Sequence, residues 1–319
     1  MELNVNPNGG IILNIIDNNA KAPYDATAVI LGDFDGLHRA HTAIIEKAVR
    51  YAKENDCKAG VFLFEENTKK FLEKKQLSLI TDNEEKNHIL KKLGVDFIYK
   101  VRFDREFSEK TPEDFVAYLK DKLSIKAVFC GYDYRFGHKA AGDASMMQKM
   151  GKELGFDVNI MPQITIEGYT VSSTYIRELL ENGDIRKANL FLGRRFSLGG
   201  IVERGLRNGT KLGFPTANVK CNDEIVIPMS GVYAGYSYVN GIEYKSVINV
   251  GNNPTFNAKR ITVESHILDF CEDIYDKNIR VSFVERIRGD IKFNSIDELS
   301  AQINNDACEA YRILEKEEL

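Results

Sequence analysis

The chain has 319 residues, 43% of them hydrophobic, and a formal net charge of −4. That length favours two domains with ordinary cores, and the acidic balance gives no global basic field to recruit nucleic acid. Five scattered cysteines with no C-x-x-C pair speak against a disulfide framework or a zinc knuckle; no apolar run approaches the roughly 20 residues that span a membrane, and Met1–Pro7 lacks the pattern of a signal peptide, so a cytoplasmic enzyme is expected.

Taken in order, the first half alternates apolar strands with amphipathic helices. Ala28–Leu31 is a continuous apolar run of the kind buried on both faces of a sheet. Thr42–Lys53 reads as helix, Gly60–Phe64 as strand, Glu84–Leu93 as helix and Val95–Tyr99 as strand. Thr111 and Pro112 are a cap and a first helical residue for a helix to Leu123. Ala127–Cys130, Ser145–Leu154 and Val158–Met161 follow as strand, helix and strand. Such alternation predicts a parallel sheet covered by helices.

Ser172–Thr174 cap a helix through Leu180, Asn182-Gly183 end it, and Asp184 opens another to about Phe191. Near Gly193 the character changes. Val232–Tyr238, Ser246–Val250, Ile261–Ile267 and Ile279–Phe283 are short, alternating and separated by glycines, which predicts a small closed antiparallel barrel. Ser295 with Glu298 three residues on forms a capping box for a terminal helix.

Two segments carry chemistry. In Gly213-Phe214-Pro215-Thr216-Ala217-Asn218 the proline excludes helix and central strand. Thr216 and Asn218 offer hard oxygens suited to Mg²⁺ held with a phosphate chain. The glycines of the approach from Arg204 uncover backbone N–H groups, and Arg204, Arg207 and Lys211 add positive charge. On these residues alone, a basic surface turn before a capped strand stays open. His38 and His41 lie three apart at a predicted helix start, beyond a strand end. They form either an anion site backed by the helix dipole or two surface histidines of an amphipathic helix.

Gly213–Asn218 resembles the flavokinase signature. Gly32-Asp33-Phe34-Asp35-Gly36-Leu37-His38-Arg39-Ala40-His41 is similar to the nucleotidyltransferase pattern G-x-F-D-x-x-H-x-G-H. In this order, from about Ala28 to about Leu314, the two resemble the prokaryotic bifunctional riboflavin kinase/FAD synthetase family. The resemblance implies a Rossmann-like α/β nucleotidyltransferase domain at 1–192 and a riboflavin kinase domain, an antiparallel β-barrel with a terminal helix, at 193–319. It implies phosphorylation of riboflavin to FMN and adenylylation of FMN to FAD with release of pyrophosphate. ATP is the co-substrate, Mg²⁺ the cofactor, and the protein a monomer or weak homo-oligomer without nucleic-acid or membrane partners.

By the same resemblance Glu264 is the kinase base, and alternation sets it with His266 on the strand face opposite Val263, Ser265 and Ile267. Without the motif it reads as a solvent-facing strand residue. Gly213, Pro215, Thr216 and Asn218 bind the kinase ATP, the last two with the metal. Gly32, Phe34, Asp35, His38, His41, Ser172, Ser173 and Arg177 bind the adenylyltransferase ATP, with both histidines catalytic. Ser172–Thr174 alone also reads as a plain helix cap. Phe64, Asp133, Phe136, Asp184 and Arg288 fall at flavin positions, and Asn249–Phe256 resembles a family turn. The departures are Ala40 for glycine, Glu66-Asn67-Thr68 where the family has Pro-His-Pro, Tyr175 for arginine and Asp276 for glycine. They leave a second reading open, a riboflavin kinase with a degenerate N-terminal domain. A non-enzymatic flavin sensor is disfavoured by intact Thr216, Asn218 and Glu264.

Overall fold

Apolar runs in the first half become parallel strands because both of their faces are covered. A computed structural model describes residues 13–65, 78–205, 213–253 and 260–317. In chain order its elements begin with β1 (Asn14–Asp17), β2 (Thr27–Leu31), α1 (Arg39–Glu54), β3 (Lys58–Phe64), α2 (Asn83–Lys92) and β4 (Phe97–Val101). They continue with α3 (Arg105–Ser108), α4 (Pro112–Leu123), β5 (Ile125–Gly131), the two-residue strands β6 (Arg135–Phe136) and β7 (Gly142–Asp143), α5 (Ala144–Leu154) and β8 (Asp157–Met161). Six strands form one sheet in the order β1-β4-β3-β2-β5-β8, with every pairing parallel.

β2 is buried at all positions, which explains its lack of alternation. Successive residues feed opposite cores. Val29 and Leu31 pack with Phe115 and Leu119 of α4 and Met147 of α5, whereas Ala28 and Ile30 pack with Ile44, Ile45 and Ala48 of α1. Thr111 caps α4 as expected, and Asp114, unassigned from sequence, completes a reciprocal capping box. β1, also unassigned, is an edge strand beside β4 with only Ile16 buried. Four residues with one apolar contact carry no periodicity.

After the small hairpin β9 (Thr165–Ile166) and β10 (Tyr169–Thr170) come α6 (Ser173–Glu181) and α7 (Ile185–Leu192). Then follow β11 (Phe196–Glu203), β12 (Ala217–Cys221), β13 (Gly231–Val239), β14 (Ile242–Asn253), β15 (Arg260–Ile267), β16 (Asn278–Arg288) and α8 (Ile296–Leu314). β11-β12-β15-β14-β13-β16 close into a barrel. Phe196, Tyr233 and Phe283 fill its interior, with ring centroids 5.8 and 5.3 Å from Phe283. Three buried serines there, Ser237, Ser246 and Ser265, satisfy one another at 2.8 and 3.0 Å. α8 lays Ala310, Ile313 and Leu314 over Val232, Ala234, Val247 and Val284. Ser295 caps α8, but the Glu298 carboxylate accepts from Asn294 N–H at 2.9 Å, one residue before the cap.

The chain divides into two compact units. The sheet unit ends at Val171, and the barrel unit runs from Ser172 and also includes Ser78–Asp82. Ser172–Leu192 therefore goes with the barrel, although the change of sequence pattern lies at 192/193. The reason is α7, which buries Ile185, Ala188, Phe191 and Leu192. Its Asn189 accepts from Phe196 N–H at 2.7 Å and donates to Phe283 C=O at 2.8 Å, locking the helix to β11 and β16. Asn189→Ala orphans both backbone groups and should destabilise the barrel unit by about 1–3 kcal/mol, read as a lower urea midpoint for its unfolding transition.

Candidate active sites

In an open parallel sheet, ligands sit beyond the carboxyl ends of strands where the order reverses. Here the chain runs from β2 to β3 and β4 on one side and to β5 and β8 on the other, so the crevice lies past Leu31 and Gly131. The turn after β2 is tight: Phe34, Gly36 and Leu37 all hold positive φ, at 50°, 79° and 39°. Bulky residues rarely do so except where function stores strain. The Phe34 ring folds under Gly32, where a β-carbon would lie 2.9 Å from it. Asp35 is buried within the turn.

His38 is the N-cap of α1, and its Nδ1 accepts from His41 N–H at 3.4 Å. The rings of His38 and His41 stack at 3.7 Å, and Phe34 meets His41 edge-on at 5.1 Å. The strand end, the strained turn and the helix dipole thus converge on both imidazoles. Ala40 sits half-buried in the first turn of α1 in helical geometry, so position 40 makes no backbone demand that only glycine meets.

Past β5, exposed Asp133 places Oδ1 so close to Gly131 that a β-carbon there would lie 2.9 Å away. Phe136 is buried and packs on Phe115 at 5.5 Å, so its ring belongs to the core. Half-buried Phe64 ends β3 against Phe103 and Phe107 at 4.9 and 5.4 Å. These two rings are not legible in the sequence, because nothing in Phe103–Phe107 has a motif. Glu66, Asn67, Thr68, Arg207, Lys211 and Pro254–Phe256 lie outside the described residues.

In the barrel unit, Ser172 is the N-cap of α6, accepting from Tyr175 N–H at 3.3 Å, and Ser173 is the first residue of the helix. Arg177 Nε donates to Ser78 C=O at 2.8 Å. Asp184 caps α7, accepting from Lys187 N–H at 3.2 Å.

The barrel brings its expected residues together by register. Glu264 on β15 lies opposite Asn218 on β12 and Asn249 on β14, and opposed residues of antiparallel strands share a face. Asn249 in turn faces Val232, and Val232 faces Arg288. The row is on the outer wall, since Val263, Ser265 and Ile267 point inward and are buried. Thr216 donates a hydrogen bond to the Glu264 carboxylate; burial pushes this acid above its ordinary range, and the Thr216 bond partly offsets the rise. His266 Nδ1 lies 2.8 Å from Pro215 C=O and its ring meets Phe214 edge-on at 5.7 Å, which fixes the Gly213–Thr216 turn.

Beside Asn218 opens a cleft of about 330 Å³, lined among others by Arg204, Gly205, Lys220, Cys221 and Ile261. A β-carbon at Gly205 would collide with the Asn218 amide, so this glycine makes the amide's seat. Arg288 makes a fork to Asp306 of α8 at 2.8–3.1 Å, and Gln302 donates to the same carboxylate. Asn249 is not identifiable as a site residue from sequence, because a single strand does not show which residues will stand beside it.

Among the described residues no cluster of three or more His, Cys, Asp or Glu side chains could hold a metal. The oxygens of Thr216 and Asn218 are hard donors beside the Glu264 carboxylate, a pair that fits Mg²⁺ shared with phosphates. Among the same residues no helix is long and apolar enough to cross a membrane.

Two separate sites on one chain, each suited to a phosphate-bearing ligand, define a bifunctional transferase. A FAD synthetase family model matches residues 21–175 and a riboflavin kinase model residues 192–314. The bifunctional riboflavin kinase/FMN adenylyltransferase of Bacillus subtilis (strain 168) is 34% identical over 90% of this chain and 92% of its own length. The Escherichia coli (strain K12) enzyme of the same description is 36% identical over 92% and 95%. A crystal structure described as a macrolide-efflux protein from Streptococcus pneumoniae superposes with a TM-score of 0.87 at 30% identity, covering 94% of this chain and 99% of that one. The chain belongs to the bifunctional riboflavin kinase/FMN adenylyltransferase family, and both domains of that family are present in it.

The seat of Asn218 gives a direct check. Gly205→Ala should leave the melting temperature nearly unchanged, because a mobile amide gives way. It should weaken ATP binding in the presence of Mg²⁺ by about tenfold or more, read by calorimetry.

Proposed function

We propose that the barrel unit transfers the γ-phosphoryl group of ATP to the ribityl primary alcohol of riboflavin, giving FMN and ADP. The sheet unit then transfers AMP from a second ATP to the phosphate of FMN, giving FAD and pyrophosphate. The observation that carries the kinase assignment is Glu264, a half-buried carboxylate set opposite Asn218 and hydrogen-bonded by Thr216.

Glu264 orients the alcohol and accepts its proton as the oxygen attacks phosphorus. Burial suits it to this role, since a carboxylate of raised pKa is a stronger base. Thr216 and Asn218 would contribute oxygens to Mg²⁺, which supplies charge neutralisation on the phosphate chain when bound. Gly213 and Pro215 shape the turn that presents them, and the adjoining cleft receives the nucleotide. Arg288, which the resemblance places near the flavin, lies at the far end of the same row with its guanidinium forked to Asp306.

In the sheet unit, adenylyl transfer needs positioning and relief of negative charge more than proton transfer. His38 and His41, at the positive end of α1, hold the ATP phosphates, with Gly32, Phe34 and Asp35 shaping the turn behind them. Ser172, Ser173 and Arg177, which the family resemblance assigns to the same ATP, belong to the barrel unit. Phe64, with Phe103 and Phe107, gives the flavin ring a surface to stack on. Buried Phe136 supports that wall from within, and Asp133 joins the flavin set; Asp184, which the resemblance also assigns to it, belongs to the barrel unit. All five cysteines are free, in keeping with work in the cytoplasm, as a monomer or weak homo-oligomer.

Three outcomes test these roles. Glu264→Gln should lower FMN formation by about 10²-fold or more, with ATP affinity little changed, in an assay resolving FMN by chromatography. Stability should not fall with it. A folded-state pKa above the unfolded one gives stability that is present at low pH and lost as pH rises through it, so at neutral pH Gln removes a penalty.

The pH profile of FMN formation should show an acid limb above the ordinary carboxylate range, where Glu264 takes up its proton. Thr216→Val removes the hydrogen bond that favours the carboxylate and should move that limb to higher pH. A profile of the wild-type enzyme with no limb in that range excludes Glu264 as the base.

Incubating the protein with FMN, ATP and Mg²⁺ should yield FAD, His38→Ala should abolish this yield, and neither condition touches the kinase. Ala40→Gly widens the approach to the α1 N-terminus and should raise FAD formation; no change would show that clearance at position 40 is irrelevant.

A further inference from the structure

Between the two halves of the sheet unit's sequence, five residues leave it to join the barrel unit. Leu79 forms a parallel bridge with Ile225: Leu79 N–H donates to Glu224 C=O at 2.7 Å, and Val226 N–H donates to Leu79 C=O at 2.7 Å. Every following side chain is gripped. Ile80 and Thr81 are buried, and Thr81 Oγ1 accepts from Arg194 Nη2 at 3.0 Å. Asp82 meets Arg280 Nη1 and Nη2 at 3.1 and 3.3 Å, each group only 20% exposed. Gly199 makes room for that fork, since a β-carbon there would lie 2.8 Å from Arg280 Nη2. At the other end Arg177 holds the Ser78 carbonyl.

The partner of this strap is not an arbitrary piece of barrel. Glu224, Ile225 and Val226 lie inside the turn from Asn222 to Ile227, and Asn222, Asp223 and Ile227 line the 330 Å³ cleft beside Asn218. The turn has its own local bonds, Glu224 N–H to Asn222 Oδ1 at 2.9 Å and Ile225 N–H to Asn222 C=O at 3.1 Å. Its outward anchor is the strap. We propose that Ser78–Asp82 is a positioning element of the kinase cleft, which sets the Asn222–Ile227 wall against the nucleotide from behind. The inference rests on the reading of that cleft as the nucleotide site.

An ion pair with each partner one-fifth exposed, forked through two nitrogens, is a directional anchor, and displacing a binding wall by about 1 Å can cost up to 10²-fold. In the full-length enzyme, Asp82→Asn and, separately, Thr81→Val should raise the KM for ATP about fivefold to tenfold. The kcat and the KM for riboflavin should stay within about twofold, and Asp82→Glu should recover part of the loss. Asn218→Ala is the control for the site itself. If Asn218→Ala weakens ATP binding while Thr81→Val and Asp82→Asn leave the KM for ATP unchanged, the strap does not position the cleft. The proposal is equally overturned if kcat and both KM values deteriorate together, which marks general loosening. If Asn218→Ala leaves ATP binding unchanged, the nucleotide reading of the cleft fails instead. Should Asp82→Asn not fold, Thr81→Val, which removes one acceptor and keeps the ion pair, decides alone.

Discussion

The register that sets Glu264 between Asn218 and Asn249 is the constraint on which the barrel's chemistry depends. Side chains alternate with period two, so a slip of one residue would send Glu264 inward and expose Ser265. Three features oppose that slip. Val263, Ser265 and Ile267 are buried inside the barrel. The Ser265 hydroxyl is matched to Ser237, which is matched to Ser246, and an unpaired hydroxyl in that interior is costly. Closure of the barrel then removes the free edge along which strands slide. The carboxylate is presented because its neighbours on either side must be buried.

How far the sequence discloses this follows from what is local and what is not. TAVIL in β2 is apolar throughout and is recognisable as a two-faced strand. Period-two alternation along β15 puts Glu264 and His266 on one face, and the structure keeps them there. Neither pattern says that Asn249, from another strand, will stand beside Glu264, since that pairing is set by closure. The helices α6 and α7 are visible from their caps at Ser172 and Asp184, yet amphipathicity does not name the partner. Asn189 decides it, with one hydrogen bond to the backbone of nearby Phe196 and one to that of Phe283, far along the chain. Phe136 lies in a segment whose resemblance points to flavin, but its burial against Phe115 is a tertiary fact. Leu79–Asp82 has no periodicity at all, because each of its contacts lies in a different element.

The two sites place charge differently, for a chemical reason. Transfer of an adenylyl group joins two phosphates, and excess negative charge is the obstacle. In the proposed reading, the sheet unit meets it with the N-terminus of α1 and two stacked imidazoles, held by a turn in which Phe34 and Leu37 accept left-handed backbone geometry. Phosphorylation of an alcohol must also lose a proton. In the same reading, the barrel unit meets this need with Glu264, whose carboxylate is pushed up by burial while the Thr216 hydroxyl limits the rise. Both arrangements cost stability locally, one through backbone strain and one through desolvation of an acid. Both sit on scaffolds that can bear it, a sheet covered on two faces and a closed barrel.

The strap gives the barrel unit a piece of chain drawn from the middle of the sheet unit's sequence. A pattern of strands and helices would let the sheet unit run unbroken from β3 to α2. Instead five residues join the other unit, with Arg177, Arg194 and Arg280 each engaging a different atom of them. Surface ion pairs contribute little when exposed, but these arginines act on partly buried partners and on backbone, where geometry is retained. Such a segment adds little to the barrel's core beyond Ile80. Its larger effect is on the Asn222–Ile227 turn, where Ile225 and Val226 are buried but Asn222 and Asp223 are exposed toward the cleft. Burial of Ile225 and Val226 anchors the turn from one side, and the bridge to Leu79, a residue borrowed from elsewhere in the chain, holds its backbone from the other.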